Sequence, residues 1–158
     1  MYKRQILLNL LTTVVCGILW KELPFVLLVF WGIFFLRPYA GGYHADTELR
    51  CYFLSTAMMN MVVFLKKTIV LSNIMFIIIW IITVIFIWIY APVENTIHCL
   101  DEDARKKYAN NTKKILLCNG IVMLVGIWVN QRIVVDAIIW SQVMIAIAMI
   151  AGLWKYST

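Results

Sequence analysis

The sequence predicts an all-α fold, a polytopic membrane bundle of about six segments, some short or re-entrant, with both termini cytoplasmic. Composition is the first observation behind that class. Of the 158 residues, 63% are hydrophobic and 14% charged, against roughly 45–50% and about 25% in a soluble domain. The second is clustering: the apolar residues come in runs rather than at amphipathic spacing, so the helices face lipid or one another all round. The third is the distribution of charge. With the amino terminus inside and the runs alternating, ten of the fourteen Lys and Arg fall on the inner side and four on the outer, the bias that marks a cytoplasmic face. The net charge of +6 follows from that bias. No basic stripe interleaved with aromatics points to nucleic acid. Residues 1–158 read as a single integral membrane domain, without an internal repeat or a Gly/Ser linker.

The first run, Ile6–Leu19, follows a basic start at Lys3 and Arg4. Trp20, Lys21 and Glu22 come next instead of a small-residue cleavage site, so the run reads as a retained segment. The second, Leu23–Leu36, opens with Pro24, which a first helical turn tolerates, and the pair predicts a tight helical hairpin. Cys51–Leu65 is the third. The fourth, Ile69–Ala91, contains the almost unbroken IMFIIIWIITVIFIWIY of Ile74–Tyr90; length selects helix over strand despite its β-branched residues. Ile115–Val129 and Ile133–Trp154 complete the set. Several runs fall short of the roughly 20 residues that span a hydrocarbon core. They extend into flanking polar residues, sit in thinned bilayer, or are re-entrant; four full spans plus a shallow hairpin is the reduced reading.

Polar residues are sparse enough to be read singly. Pro92–Lys114 is the long hydrophilic stretch, and its Asp101-Glu102-Asp103 before Arg105-Lys106-Lys107 is the acid-then-base order of a short helix. Asp136 lies inside the last run, where an acid is a functional suspect by default, but Arg132 four residues earlier makes an i, i+4 ion pair the simpler reading. Asn60 and Asn119 suit interhelical polar contacts. Cys16 and Cys118 lie in apolar runs and behave as small apolar residues, and the four cysteines form no evident disulfide framework.

The chemistry concentrates at His44 and Cys51, in the polar island RPYAGGYHADTELRC. A thiolate is the nucleophile of cysteine chemistry and an imidazole its usual base. On one straight helix seven residues rise roughly 10.5 Å, too far for a hydrogen bond. The sequence supplies a bend. Gly41 and Gly42 reach backbone angles closed to other residues, and Asp46 or Thr47 is a good N-cap. A helix starting near Asp46 puts Cys51 in its first turn or two and lets His44 fold back. Arg37, ahead of Pro38, is suited to anchor at headgroups, hold the loop, or bind a substrate carboxylate. Asp46 and Glu48 are near enough in sequence to orient His44. A zinc site of His44, Cys51, His98 and Cys99 is the rival, weakened because adjacent His98 and Cys99 are poor ligands for one ion.

The same segment resembles the accessory gene regulator B (AgrB) family of bacterial membrane peptidases, in which an Arg precedes Gly-x-His-Ala and a Cys follows the His by seven. Arg37, Gly42, His44, Ala45 and Cys51 stand at those places. Downstream, Tyr90-Ala91-Pro92, an acidic stretch, and Arg105-Lys106-Lys107-Tyr108 are similar to the family's cytoplasmic loop. The resemblance implies a cysteine endopeptidase of the bacterial cytoplasmic membrane, active on the cytoplasmic side, that removes the carboxy-terminal tail of a small autoinducer precursor peptide. It implies Cys51 as nucleophile, His44 as base, a thioester acyl-enzyme, and closure to a thiolactone or lactone signal in quorum sensing. Arg37, Gly41, Gly42, Asp46, Glu48, Arg105, Lys106 and Lys107 are the expected supporting or substrate-binding residues. No cofactor or metal is called for, and ATP is not required, since exchanging one thioester for another is close to neutral. The partners implied are the precursor, the bilayer and, by analogy, a second copy in a homodimer. Family members commonly carry an amphipathic region before the first span, whereas here the apolar run begins almost at once, so docking is expected to fall to Pro92–Lys114 or a partner. A peptide exporter or a non-catalytic membrane scaffold is the alternative; the polar cluster at a bundle end rather than a midplane speaks for the peptidase.

Overall fold

In the computed structural model, which describes residues 2–43, 45, 47–69, 72–93 and 101–156, the chain forms six α-helices. They are α1 (Tyr2–Leu19), α2 (Leu23–Ala40), α3 (Glu48–Thr68), α4 (Asn73–Tyr90), α5 (Glu102–Trp128) and α6 (Arg132–Tyr156). Among the described residues there is no strand, only an isolated parallel bridge between Gly41 and Val93.

The helix boundaries follow local chemistry, and three differ from the sequence expectation. Helix α2 does not stop at Leu36 but runs through Pro38 to Ala40. The fourth helix does not begin at Ile69. Ile69 closes α3 with its N–H on the Leu65 carbonyl, and Ser72 caps α4 by accepting from the Met75 amide at 3.4 Å. The acidic stretch does start a helix, with the Asp101 carboxylate accepting from the Glu102 amide at 2.9 Å. That helix is not short. It continues without interruption into the fifth apolar run, because nothing between Lys114 and Ile115 breaks it.

The helices alternate in direction. One end of the bundle gathers the α1–α2 turn, the end of α3 and the start of α6. There Lys66 pairs with Glu22, the Lys67 ammonium donates to the Trp20 carbonyl at 2.6 Å, and Arg132 meets Asp136 at 3.9 Å, the i, i+4 pair expected. The other end gathers the start of α1, the end of α2, the start of α3, the end of α4, the start of α5 and the end of α6. Tyr39 packs on Tyr108 with ring centroids 5.7 Å apart, and the Lys155 ammonium sits 5.0 Å above the Tyr43 ring.

Helix α6 is the central element, packed by α2, α4 and α5. Its Ala137 and Trp140 join Phe25, Val29, Met59 and Val62, and its Ile145 and Met149 join Leu36, Ile87 and Leu116. Small residues let α2 approach closely: a β-carbon at Gly32 would lie 2.6 Å from the Ser141 hydroxyl, the small-residue packing of helices in lipid. Outward faces are apolar too, with Ile74 71%, Trp128 87% and Trp154 79% exposed. Helices α2 and α6 are each long and apolar enough to cross a membrane, while α1 and α4 carry shorter apolar stretches.

Helix α3 packs chiefly on α1, and polar rungs join the two. The Tyr52 and Thr12 hydroxyls share a 2.6 Å hydrogen bond. Trp20 Nε1 donates to Asn60 Oδ1 at 2.9 Å, and Asn60 Nδ2 reaches Cys16 Sγ at 3.5 Å, so Asn60 is the interhelical contact expected. Replacing Asn60 by Ala strands the indole N–H, and the thermal unfolding of the purified protein in detergent should show a loss of about 1 kcal/mol; an unchanged midpoint would mean the rung carries no stability.

Candidate active site

The polar island folds as a clamp built on two glycines. Helix α2 ends where Gly41 turns to φ +75° and Gly42 to φ +120°, the region that favours glycine. The Gly41 amide still bonds the Arg37 carbonyl at 3.0 Å. The chain then passes between two neighbours with no room for side chains. A β-carbon on Gly41 would meet the Val93 carbonyl oxygen at 2.2 Å, and one on Gly42 the Ala148 carbonyl oxygen at 3.0 Å. From the other side, a β-carbon on Gly152 would lie 2.8 Å from the Gly42 carbonyl carbon. Two backbone bonds fasten the passage: the Val93 amide to the Ala40 carbonyl at 3.0 Å and the Tyr43 amide to the Ala148 carbonyl at 2.7 Å.

Arg37 holds the loop. Its Nη2 donates to the Tyr43 carbonyl at 3.0 Å, so the residue before His44 is tied at both its amide and its carbonyl. On the far side, Thr47 caps α3, its hydroxyl accepting from the Arg50 amide at 3.3 Å while its carbonyl receives the Cys51 amide at 3.1 Å. Cys51 therefore lies in the first turn of α3, half-buried. His44 and Asp46 lie outside the described residues. What brackets them is well defined, and no continuous helix joins His44 to Cys51, because α2 ends at Ala40 and α3 begins at Glu48.

The backbone amides around the loop divide by this geometry into engaged and unengaged groups. The amides of Gly41, Tyr43 and Cys51 are already engaged. Helix geometry leaves the first amides of α3, those of Glu48 and Leu49, without an intrahelical acceptor. Glu48 is exposed, as are Arg105, Lys106 and Lys107 on the first turns of α5. The Tyr39–Tyr108 contact holds those turns against the end of α2, at the same end of the bundle as Cys51.

Cys51 also faces a cavity of about 240 Å³ between α1, α2, α3 and α6, with Arg37 and Gly41 beside it. The sequence reading did not single out the polar and thiol residues of α1 that line it, Gln5, Asn9, Thr12, Thr13 and Cys16. Their recurrence every three or four residues along an otherwise apolar helix was the available signal.

Comparison with known proteins agrees with the motif. The family model for accessory gene regulator B matches residues 4–150. No curated protein and no solved structure matches the chain.

The clamp predicts an asymmetry among glycines. Gly152→Ala drives a β-carbon into the Gly42 backbone and should destabilise by about 1–3 kcal/mol, while changing the rate at which iodoacetamide alkylates Cys51. Gly120→Ala, whose β-carbon would meet only the Trp80 ring at 3.3 Å, should leave both readings near wild type. Thermal unfolding and site-resolved mass spectrometry measure the two.

Proposed function

This chain belongs to the accessory gene regulator B family, and from that premise we propose that it is a membrane cysteine endopeptidase acting on a small autoinducer precursor. The family accounts for a role in quorum-sensing peptide processing. The observation that carries the finer reading is Cys51 in the first turn of α3, opening onto a cavity, on a helix that begins only after His44 in the sequence. Tyr43 and Thr47, described residues on either side of His44, are anchored independently, and four residues of chain span at most about 14 Å.

The reaction follows from those groups. His44 takes the Cys51 proton. The sulfur attacks the carbonyl carbon at the cleavage point, and the free Glu48 and Leu49 amides are suited to the developing oxyanion. The C–N bond breaks, His44 returns the proton to the leaving amine, and the tail departs. The remaining peptide is held as a thioester on Cys51. An internal thiol or hydroxyl of that peptide then attacks the thioester carbon, the C–S bond to Cys51 breaks, and the proton passes back to the Cys51 sulfur. One acyl bond replaces another, so no cofactor or ATP is required.

The bundle is read as six spans with both termini and Cys51 on the cytoplasmic face of a bacterial membrane. The up-and-down order supports it. The Arg and Lys of α5's first turns, Arg37, Arg50 and Lys155 gather at the Cys51 end, and Lys21, Lys66, Lys67 and Arg132 at the other, the asymmetry of the positive-inside rule. A thiol on that side stays reduced.

Cys51→Ala should abolish tail removal and leave intact precursor in co-expressing cells, read by immunoblot of a tagged precursor. His44→Ala should cut processing by about 10²-fold or more, the usual worth of a positioned base. Continued processing by Cys51→Ala would instead mark an exporter or scaffold.

A further inference from the structure

The cavity beside Cys51 has a lining that selects what can enter it. It extends along α3 from Cys51 through Ser55 to Met59, about 12 Å into the bundle at 1.5 Å per residue. Its floor is soft and apolar, with Met58, Met59, Met144 and Phe30; methionine adapts to varied apolar partners. Arg37, at the mouth, is the one charged side chain among the described lining residues, and its guanidinium already bonds the Tyr43 carbonyl. The walls carry uncommitted polar atoms. Asn9 Oδ1 and Thr56 Oγ1 are buried and have no hydrogen-bond partner among the described residues. Such atoms are costly unless something satisfies them. The Tyr52–Thr12 bond and the Asn60–Trp20 bond join α1 to α3 alongside, so the seam between these helices is held open to a limited width.

We propose that this cleft is the acyl-side subsite. It takes the uncharged, apolar residue that precedes the scissile bond and stays on Cys51 as the thioester, with Asn9 and Thr56 receiving backbone N–H or hydroxyl groups of that segment. The proposal rests on the peptidase reading and adds a direction to it. An acidic or basic segment finds no counter-charge along the floor, so a charged segment of the peptide would lie on the open side of Cys51. At about 240 Å³ the space is below the roughly 300–1,000 Å³ of sites that enclose a drug-sized ligand, so it fits a short segment and not a whole peptide.

The test uses the full-length protein in nanodiscs and two thiol probes, N-iodoacetyl-leucine methylamide and N-iodoacetyl-glutamate methylamide, with plain iodoacetamide as reference. In each case the sulfur displaces iodide. Alkylation of Cys51 is followed by peptide mapping and divided by that of exposed Cys118 in the same sample, which cancels partitioning into lipid. The leucine probe should label Cys51 about tenfold or more faster than the glutamate probe, the worth of a matched apolar pocket. Met59→Trp, which fills the floor, should erase that preference and leave the iodoacetamide rate unchanged. Asn9→Leu and Thr56→Val remove unsatisfied atoms and so should keep or raise thermal stability, yet they should raise the half-saturating concentration of the leucine probe without altering its limiting rate. Equal labelling by the two probes, or a preference that survives Met59→Trp, overturns the subsite. Because labelling needs no catalysis, that result is separable from failure of the peptidase reading, which is decided by precursor processing in Cys51→Ala.

Discussion

The backbone of Gly41 and Gly42, pressed between Val93 and the Ala148–Gly152 stretch of α6, is the contact on which the rest of the site depends. It is a contact between main chains. A β-carbon at any of Gly41, Gly42 or Gly152 would collide with backbone atoms that cannot rotate away. Three elements distant in sequence are thereby fixed together: the end of α2, the segment leaving α4, and the last turns of α6. Arg37 completes the arrangement from the helix side, its own carbonyl holding the Gly41 amide and its guanidinium holding the Tyr43 carbonyl. The chain is thus held at Tyr43 on one side, and Thr47 caps α3 on the other.

Much of this was legible in the sequence, for identifiable reasons. The all-α class and the number of helices followed from apolar runs whose length excludes strands. The interruption of helix between Ala40 and Glu48 followed from the Gly41-Gly42 pair and the N-cap candidates after it. Thr47 as cap, the Arg132–Asp136 pair and the Asn60 contact followed from spacing and the expense of polar groups in an apolar setting. The extension of α2 through Pro38 was not legible, because a proline near a helix end discourages the turn without forbidding it, and here the Gly41–Arg37 bond closes that turn. The junction of the charged α5 segment with its apolar continuation was missed because a change in composition looks like a boundary. Backbone hydrogen bonding does not register composition. Gly152 was invisible for another reason: its partner, Gly42, is more than a hundred positions away, and no local pattern encodes that distance.

The two ends of the bundle solve different problems. At the α1–α2 turn, charges neutralise one another: Glu22 with Lys66, Asp136 with Arg132, and Lys67 on a carbonyl. The end is closed electrostatically, which suits a structural terminus. At the Cys51 end, Glu48, Arg50, Lys106 and Lys107 are exposed, while Arg37 and Thr47 hold backbone. One end uses charged side chains to join helices, and the other uses Arg37 and Thr47 to fix the chain on either side of the loop.

An acyl-enzyme at such a position divides its substrate in two. The sulfur sits in the first turn of a helix whose following turns, through Ser55 to Met59, descend along an uncharged cleft, while the preceding residues, Thr47 and Glu48, are exposed. On the proposed peptidase reading, a peptide attacked there would keep its retained half against the cavity and its departing half on the exposed side. The leaving amine would pass to water, and a thioester held beside the apolar lining would meet less of it, which would favour an internal nucleophile of the peptide over hydrolysis. Cleavage followed by ring closure, rather than simple proteolysis, is the outcome that reading would expect of this placement of one cysteine.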